Sequence, residues 1–158
     1  RTRSASPIWT SNVVMDDPFD LQRFINAQDG HYEKALGELQ AGRKRSHWMW
    51  FIFPQIAGLG ASAMAQHYAI VAPAEARAYV QHPLLGERLV ECTEAVNAHA
   101  RQTAHEIFGS PDDLKFRSSM TLFALIAPAE PAFATALQTF FNGVPDPLTI
   151  EKLQGDAP

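Results

Sequence analysis

Apolar and polar positions alternate along this chain with a helical period almost throughout. Phe19, Leu21, Phe24, Ile25, Gln28, Tyr32, Ala35, Leu36 and Leu39 give a largely helical spacing, and Gly42 stops the run. Asp17 is placed to cap this segment with Pro18 in its first turn, where a missing N–H is no loss. Gly30 either divides the segment into two helices or is tolerated inside one. Ser62 is placed to cap a helix over residues 63–70, and Ala72-Pro73 starts a short helix holding Glu75, Ala76 and Tyr79. His82-Pro83 restarts the chain into the longest clear helix, over residues 83–100. Leu84, Leu85, Leu89, Cys92, Val96 and His99 form its buried side, while Glu87, Arg88, Glu91 and Glu94 form its wet side.

The second half keeps this rhythm. Thr103 and Glu106 have the spacing of a capping box and open a turn of helix ending near Gly109. Ser110-Pro111-Asp112-Asp113 reads as a cap, a first-turn proline and two acids against the positive end of the helix dipole. That helix carries Phe116, Met120 and Phe123 on one face. The next begins at Pro131, carries Phe133, Leu137, Phe140 and Phe141, and ends at Gly143; a last short helix covers residues 146–153. No strand or hairpin signal, internal repeat or low-complexity segment interrupts the pattern. It predicts an all-α single domain over residues 16–153, of about seven short to medium helices and unlike a simple four-helix bundle. Residues 1–15 are expected to form a flexible N-terminal arm, and residues 154–158 a frayed tail.

One stretch departs from this regularity. Residues 42–60, GRKRSHWMWFIFPQIAGLG, pass from a basic cluster through an aromatic run into a Gly-x-Gly turn. As a strand, residues 47–53 would place Trp48 and Trp50 on one face; as a helix, Trp48, Phe51 and Ile52. The neighbouring helical patterns and Pro54 favour a short buried helix or an irregular segment. The apolar run calls for burial, yet Arg43, Lys44, Arg45 and His47 stand directly against it. An apolar platform rimmed by cations suits an anionic, partly aromatic ligand; it also describes a core segment with a solvated basic lead-in.

Composition narrows the classes. With 158 residues and 46% of them hydrophobic, the chain can bury one sizeable core. A net charge of −4 argues against general binding to a nucleic-acid backbone. The single cysteine, Cys92, excludes an intrachain disulfide or a cysteine-rich zinc site and fits a reducing cytoplasm. It is expected to be a small buried hydrophobe and not a nucleophile. No apolar run reaches membrane-spanning length, and the first fifteen residues lack the apolar core of a secretion signal. A start at Arg1 instead of methionine points to truncation, a tag remnant or an extended start. No cofactor is indicated. His67 and His82 are isolated, no HExxH pattern supports a metal, and no Gly-x-Ser-x-Gly elbow supports ordinary α/β-hydrolase chemistry.

Three groups carry candidate chemistry. Lys44, Arg45 and His47 form the first: Lys44 and the Trp48 ring could jointly hold a phosphate and a base, with His47 as acid or base near neutral pH or simply packed and bonded to a carbonyl. Gly58, Gly60 and Ser62 precede a helix and could expose backbone N–H groups to an anion, although a plain tight turn has the same residues. Asp112, Asp113, Lys115, Arg117, Ser118 and Ser119 pack acids, cations and hydroxyls ahead of an apolar run. They could wall a polar pocket in which an aspartate acts as base or orients a water; their alternative is an acidic first turn with solvated positions. Arg117 faces a semi-buried side between Leu114 and Thr121 and is expected to have a specific partner. His82 could cap or line a cleft, and Arg88 could meet an acid from another helix.

The segments DPFDLQRFINAQ, HWMWFIFPQIAGLG, HPLLGERLVEC and IFGSPDDLKFRSSMTLF resemble a bacterial family known as domain of unknown function number 1810, over about residues 16–153. Some of its members carry the label calpastatin, which this composition does not support. The family is distantly similar in fold to the all-α YbiA-like or NADAR proteins, linked to ADP-ribose and riboflavin-intermediate metabolism, where they cleave N-glycosidic bonds. That likeness implies a cleft for a phosphorylated ribose compound. Lys44, Arg117 and the turn from Gly58 to Ser62 would hold phosphate, and Trp48 or Trp50 would stack a ring. Asp112 or Asp113 would stabilise the oxocarbenium-like sugar or orient the attacking water. The chain departs from the NADAR pattern at His31-Tyr32-Glu33-Lys34, whose spacing to the rest differs, and at Ile107-Phe108-Gly109, which lacks the expected acid. Two readings stand: a hydrolase of an ADP-ribose-like compound, or a non-catalytic domain that binds a nucleotide derivative or a protein.

Overall fold

The computed structural model describes residues 16–155. The expected arm over residues 1–15 and the last three positions of the expected tail lie outside them. The described chain is all helix apart from one isolated bridge, with ten helices: α1 Gln22–Gln28, α2 Tyr32–Gln40, α3 Met49–Ile52, α4 Ala63–His67, α5 Pro73–Gln81, α6 Leu85–Asn97, α7 Ala104–Phe108, α8 Asp112–Ile126, α9 Pro131–Phe141 and α10 Pro147–Gly155. Ten exceed the expected seven because Gly30, at φ 79°, parts α1 from α2, and three helices of only four or five residues stand alone. The helix α10 extends to Gly155.

Most start signals act as their chemistry predicts. Thr103 and Glu106 close the capping box of α7, and Ser62 caps α4. Asp17 accepts from the Leu21 and Gln22 amides, but α1 begins only at Gln22, because Asp20 first turns the chain at φ 53°. Ser110 is not the cap of α8: Pro111 holds the cap position without a side-chain bond, and the first-turn acids Asp112 and Asp113 supply the favourable charge. The longest helix is α8, and not the one after His82. The His82 Nδ1 accepts from the amides of Leu84 and Leu85, which confines Pro83 and Leu84 to the cap. At the other end His99 leaves the helix and binds the Leu39 and Gln40 carbonyls, tying α6 to the end of α2.

The core is one contiguous cluster around α8, whose Phe116, Met120, Leu122 and Phe123 are fully buried. Around it pack α5, α7, α9 and α10, while α6 packs on α2, α5 and α9. The aromatic run collapses inward as a short helix, with Trp48, Phe51, Ile52 and Phe53 all buried. After Pro54 the chain is pinned again: the Ala57 amide donates to Ile70 O, and the Ile70 amide to Gln55 O. This one bridge closes residues 57–69 into a fixed excursion carrying the Gly-x-Gly turn and α4. Among the described residues no helix is long and apolar enough to cross a membrane.

Candidate functional site

The basic loop is organised by an acid that the sequence reading passed over. Glu38 is on the buried face of α2, and its carboxylate accepts from the amides of Arg45 and Ser46, the Ser46 hydroxyl and the Trp48 indole. Burial alone would push this carboxyl up, but the bonds to its charged form outweigh that and hold it at about 2. The available signal was an acid within the apolar stripe of Ala35, Leu36 and Leu39, where an exposed residue has no place.

This arrangement decides which predicted residues meet. Trp48 is buried, its nitrogen is taken by Glu38, and its ring packs near Phe53. It is therefore core and not a stacking platform. The Lys44 ammonium lies 5.1 Å from the Trp48 ring centroid and 2.9 Å from Asp112 Oδ2. With its side chain only 8% exposed, Lys44 serves an inward-facing ion pair and lines neither the hollow beside Trp50 nor that beside Lys115. His47 is exposed and also stands apart. Asp113 accepts from the Leu114 amide and faces His105, again away from the cleft.

Two adjoining hollows share Gln55, Leu59, Gly60 and Ala65. The smaller, of about 190 Å³, is lined by Trp50, Tyr68, Gln55, Gln66 and Gly58 among others. The larger, of about 500 Å³, runs between the turn and α8, past Ser62, Lys115, Arg117, Ser118 and Asp146. Leu114 and Leu148, each 56% exposed, form its apolar walls. At the junction the Lys115 ammonium lies 5.3 Å from the Trp50 ring centroid and 3.4 Å from Asp112 Oδ1. Gly58, at φ 95°, lets the Lys152 side chain cross directly over the turn; a Cβ there would lie 3.0 Å from Lys152 Cε.

Several lining residues already have structural duties. Arg117 has the specific partner expected of it, as its guanidinium donates to the carbonyls of Val144 and Pro145. Ser118 and Thr149 donate to Asp146 Oδ2, and the Asp146 amide donates to Thr121. Together these bonds dock the start of α10 on α8. The Ser62 hydroxyl accepts from the Ala65 amide as a helix cap. Ser119, although it shares the Lys115 side of the helix in the sequence pattern, is fully buried in the interior.

The structure therefore brings Trp50, Gly58, Gly60, Ser62, Lys115, Arg117 and Ser118 together around the cleft, with Asp146 and Tyr68, which sequence reasoning misses. The missed residues come from loops and helix ends whose meeting no local pattern encodes. Arg88 is corrected too: it donates to Gln28 Oε1 and lies over the Tyr32 ring, with no acid as its partner among the described residues. Cys92 is buried as expected, and burial pushes its thiol up to about 12. Among the described residues no group of His, Cys, Asp or Glu side chains is arranged to hold a metal ion.

Fold and site together define a small all-helical domain with a cleft formed by two adjoining hollows, one lined by Trp50 and Tyr68 and the other by Lys115, Arg117 and Asp146 among apolar walls. The chain belongs to the family described as protein of unknown function (DUF1810), whose model matches residues 18–153, as the sequence motifs implied. It is similar to the conserved hypothetical protein Rv1873 from Mycobacterium tuberculosis, a solved crystal structure. The two share 51% identity over 87% of this chain and 99% of that one, with a TM-score of 0.86. No curated protein matches the chain. Neither comparison bears on a likeness to the YbiA-like proteins.

Proposed function

We propose that this domain binds a small anionic ligand with a planar ring, of the nucleotide or ADP-ribose kind. One observation carries the reading: the hollow lined by Trp50 and Tyr68 adjoins one lined by Lys115, and the two share Gln55, Leu59, Gly60 and Ala65. A ring between aromatic walls and two side-chain amides satisfies both its faces and its polar edge. An anion beyond it meets Lys115, with the Lys152 stem lying across Gly58 close by. Titration with ADP-ribose and AMP, followed by calorimetry and by Trp50 fluorescence, tests this. Saturable binding that is lost in Trp50→Leu and weakened in Lys115→Met is expected; no saturable binding of either compound overturns the reading.

Hydrolysis of an N-glycosidic bond in such a ligand is the second reading, and the observation favouring it is the Asp146 carboxylate in the larger hollow. Ser118 and Thr149 hold that carboxylate in a fixed position, from which it could orient a water or stabilise a cationic sugar. Asp112 takes no such part, because its two oxygens face Lys44 and Lys115. Release of free base from ADP-ribosylated compounds by the wild type, and its absence in Asp146→Asn, would establish the enzyme. Binding without turnover would leave the non-catalytic domain.

A further inference from the structure

We infer that Lys115 couples the two hollows: it covers the Trp50 ring, and an anion drawing it away opens that ring to the planar part of the same ligand. The inference rests on the binding reading above and assigns the ligand a requirement for both parts at once.

The geometry points to Lys115 because it is the loose member of a three-group chain. Asp112 Oδ2 is 2.9 Å from Lys44, whereas Asp112 Oδ1 is 3.4 Å from Lys115. Exposure follows the same order, with the Lys44 side chain 8% and the Lys115 side chain 28% exposed. If Lys115 leaves, Asp112 keeps its inner partner, so no uncompensated charge remains in a half-buried place. A lysine on a flexible stem can make that move, where an arginine fork would be held. Its present seat over the indole links the two hollows, since Trp50 lines the smaller and Lys115 the larger.

The consequence is thermodynamic. A ring without an anion has to displace the ammonium from the indole with nothing to receive it. An anion alone gains the ammonium but leaves the ring bare. A ligand carrying both gains both contacts, and an anion in the larger hollow raises the affinity of the smaller for a ring.

The test uses the full chain, Lys115→Met, which keeps the apolar stem, and Lys115→Gln as a second removal of the charge. Trp50→Phe supplies the background from the other tryptophans. Acrylamide quenching of Trp50 needs no ligand. Both variants are expected to raise it by about two- to fivefold, the equivalent of losing an exposed cation–π contact. Unchanged quenching overturns the cover, whatever binds. AMP, adenosine and inorganic phosphate are then titrated. In the wild type, phosphate is expected to tighten adenosine binding by a similar factor; in Lys115→Met, adenosine binds that tightly without phosphate, and phosphate adds nothing. Equal adenosine affinity in all three proteins overturns the coupling. Increased quenching in the variants with no binding of any probe supports the cover and overturns the nucleotide-like ligand, which separates the two failures.

Discussion

The indole nitrogen of Trp48 donates to Glu38 Oε1 at 2.8 Å, joining the most aromatic stretch of the chain to a buried acid on α2. Through the same carboxylate the amides of Arg45 and Ser46 are fixed, so the basic loop is held from below. Lys44 is thereby aimed at Asp112, and the head of α8, with Lys115 on it, is set against the cleft.

Glu38→Ala should be among the most damaging single substitutions at a polar position. It leaves two amides, a hydroxyl and an indole N–H without their acceptor, for a loss of about 3 kcal/mol, and Glu38→Gln should cost less. Urea unfolding of the three proteins measures it. A loss below about 1 kcal/mol in Glu38→Ala would show that water replaces the carboxylate.

The same group makes stability depend on pH. Its carboxyl titrates at about 2 in the fold against an ordinary 4.5, so the folded state favours the charged form. That contribution is fully present above the unfolded value and disappears as pH falls through 4.5 toward 2. Its full size is roughly 3 kcal/mol. Unfolding free energies measured from pH 6 to pH 2 should fall more steeply for the wild type than for Glu38→Gln. Parallel curves would contradict the assignment.

Arg117 is expected to act chiefly on α10. Arg117→Ala removes both bonds to the Val144 and Pro145 carbonyls and should cost about 2 kcal/mol. Amide hydrogen exchange should accelerate over residues 144–155 while α6 stays protected. Arg117→Lys should recover only part of this, because an ammonium does not present the same fork of donors. Unaltered exchange at α10, together with lost ligand affinity, would instead make Arg117 an anion-binding residue.

Cys92 should be inert while the chain is folded. It is buried, and burial holds its thiol at about 12, so almost no thiolate exists near neutral pH. Labelling by iodoacetamide at pH 8, followed by mass spectrometry, should rise only with denaturant concentration across the unfolding transition. Rapid labelling of the native protein would contradict this.

Helix boundaries were largely legible because they follow local chemistry. The capping box at Thr103 and Glu106, the proline opening α9, and the shared face of Phe116, Met120 and Phe123 each involve residues a few positions apart. The cleft was legible only in part. Trp50, Lys115 and the glycine turn were identifiable by residue type, but Trp48 and Trp50 are equivalent candidates on paper. Glu38 separates them by claiming the first indole nitrogen.

From its order of residues alone, this chain settles that it is helical, that one apolar cluster forms its core, and that its family motifs extend over nearly all of the described length. Those properties depend on periodicity and on neighbours within a turn. The folded arrangement settled which charges neutralise one another and which face a hollow. Lys44 and Lys115 have the same chemistry and share Asp112, yet one is buried against it and the other, more exposed, lines the larger hollow. Desolvation depends on every segment packed around a group, and those segments come from distant parts of the chain.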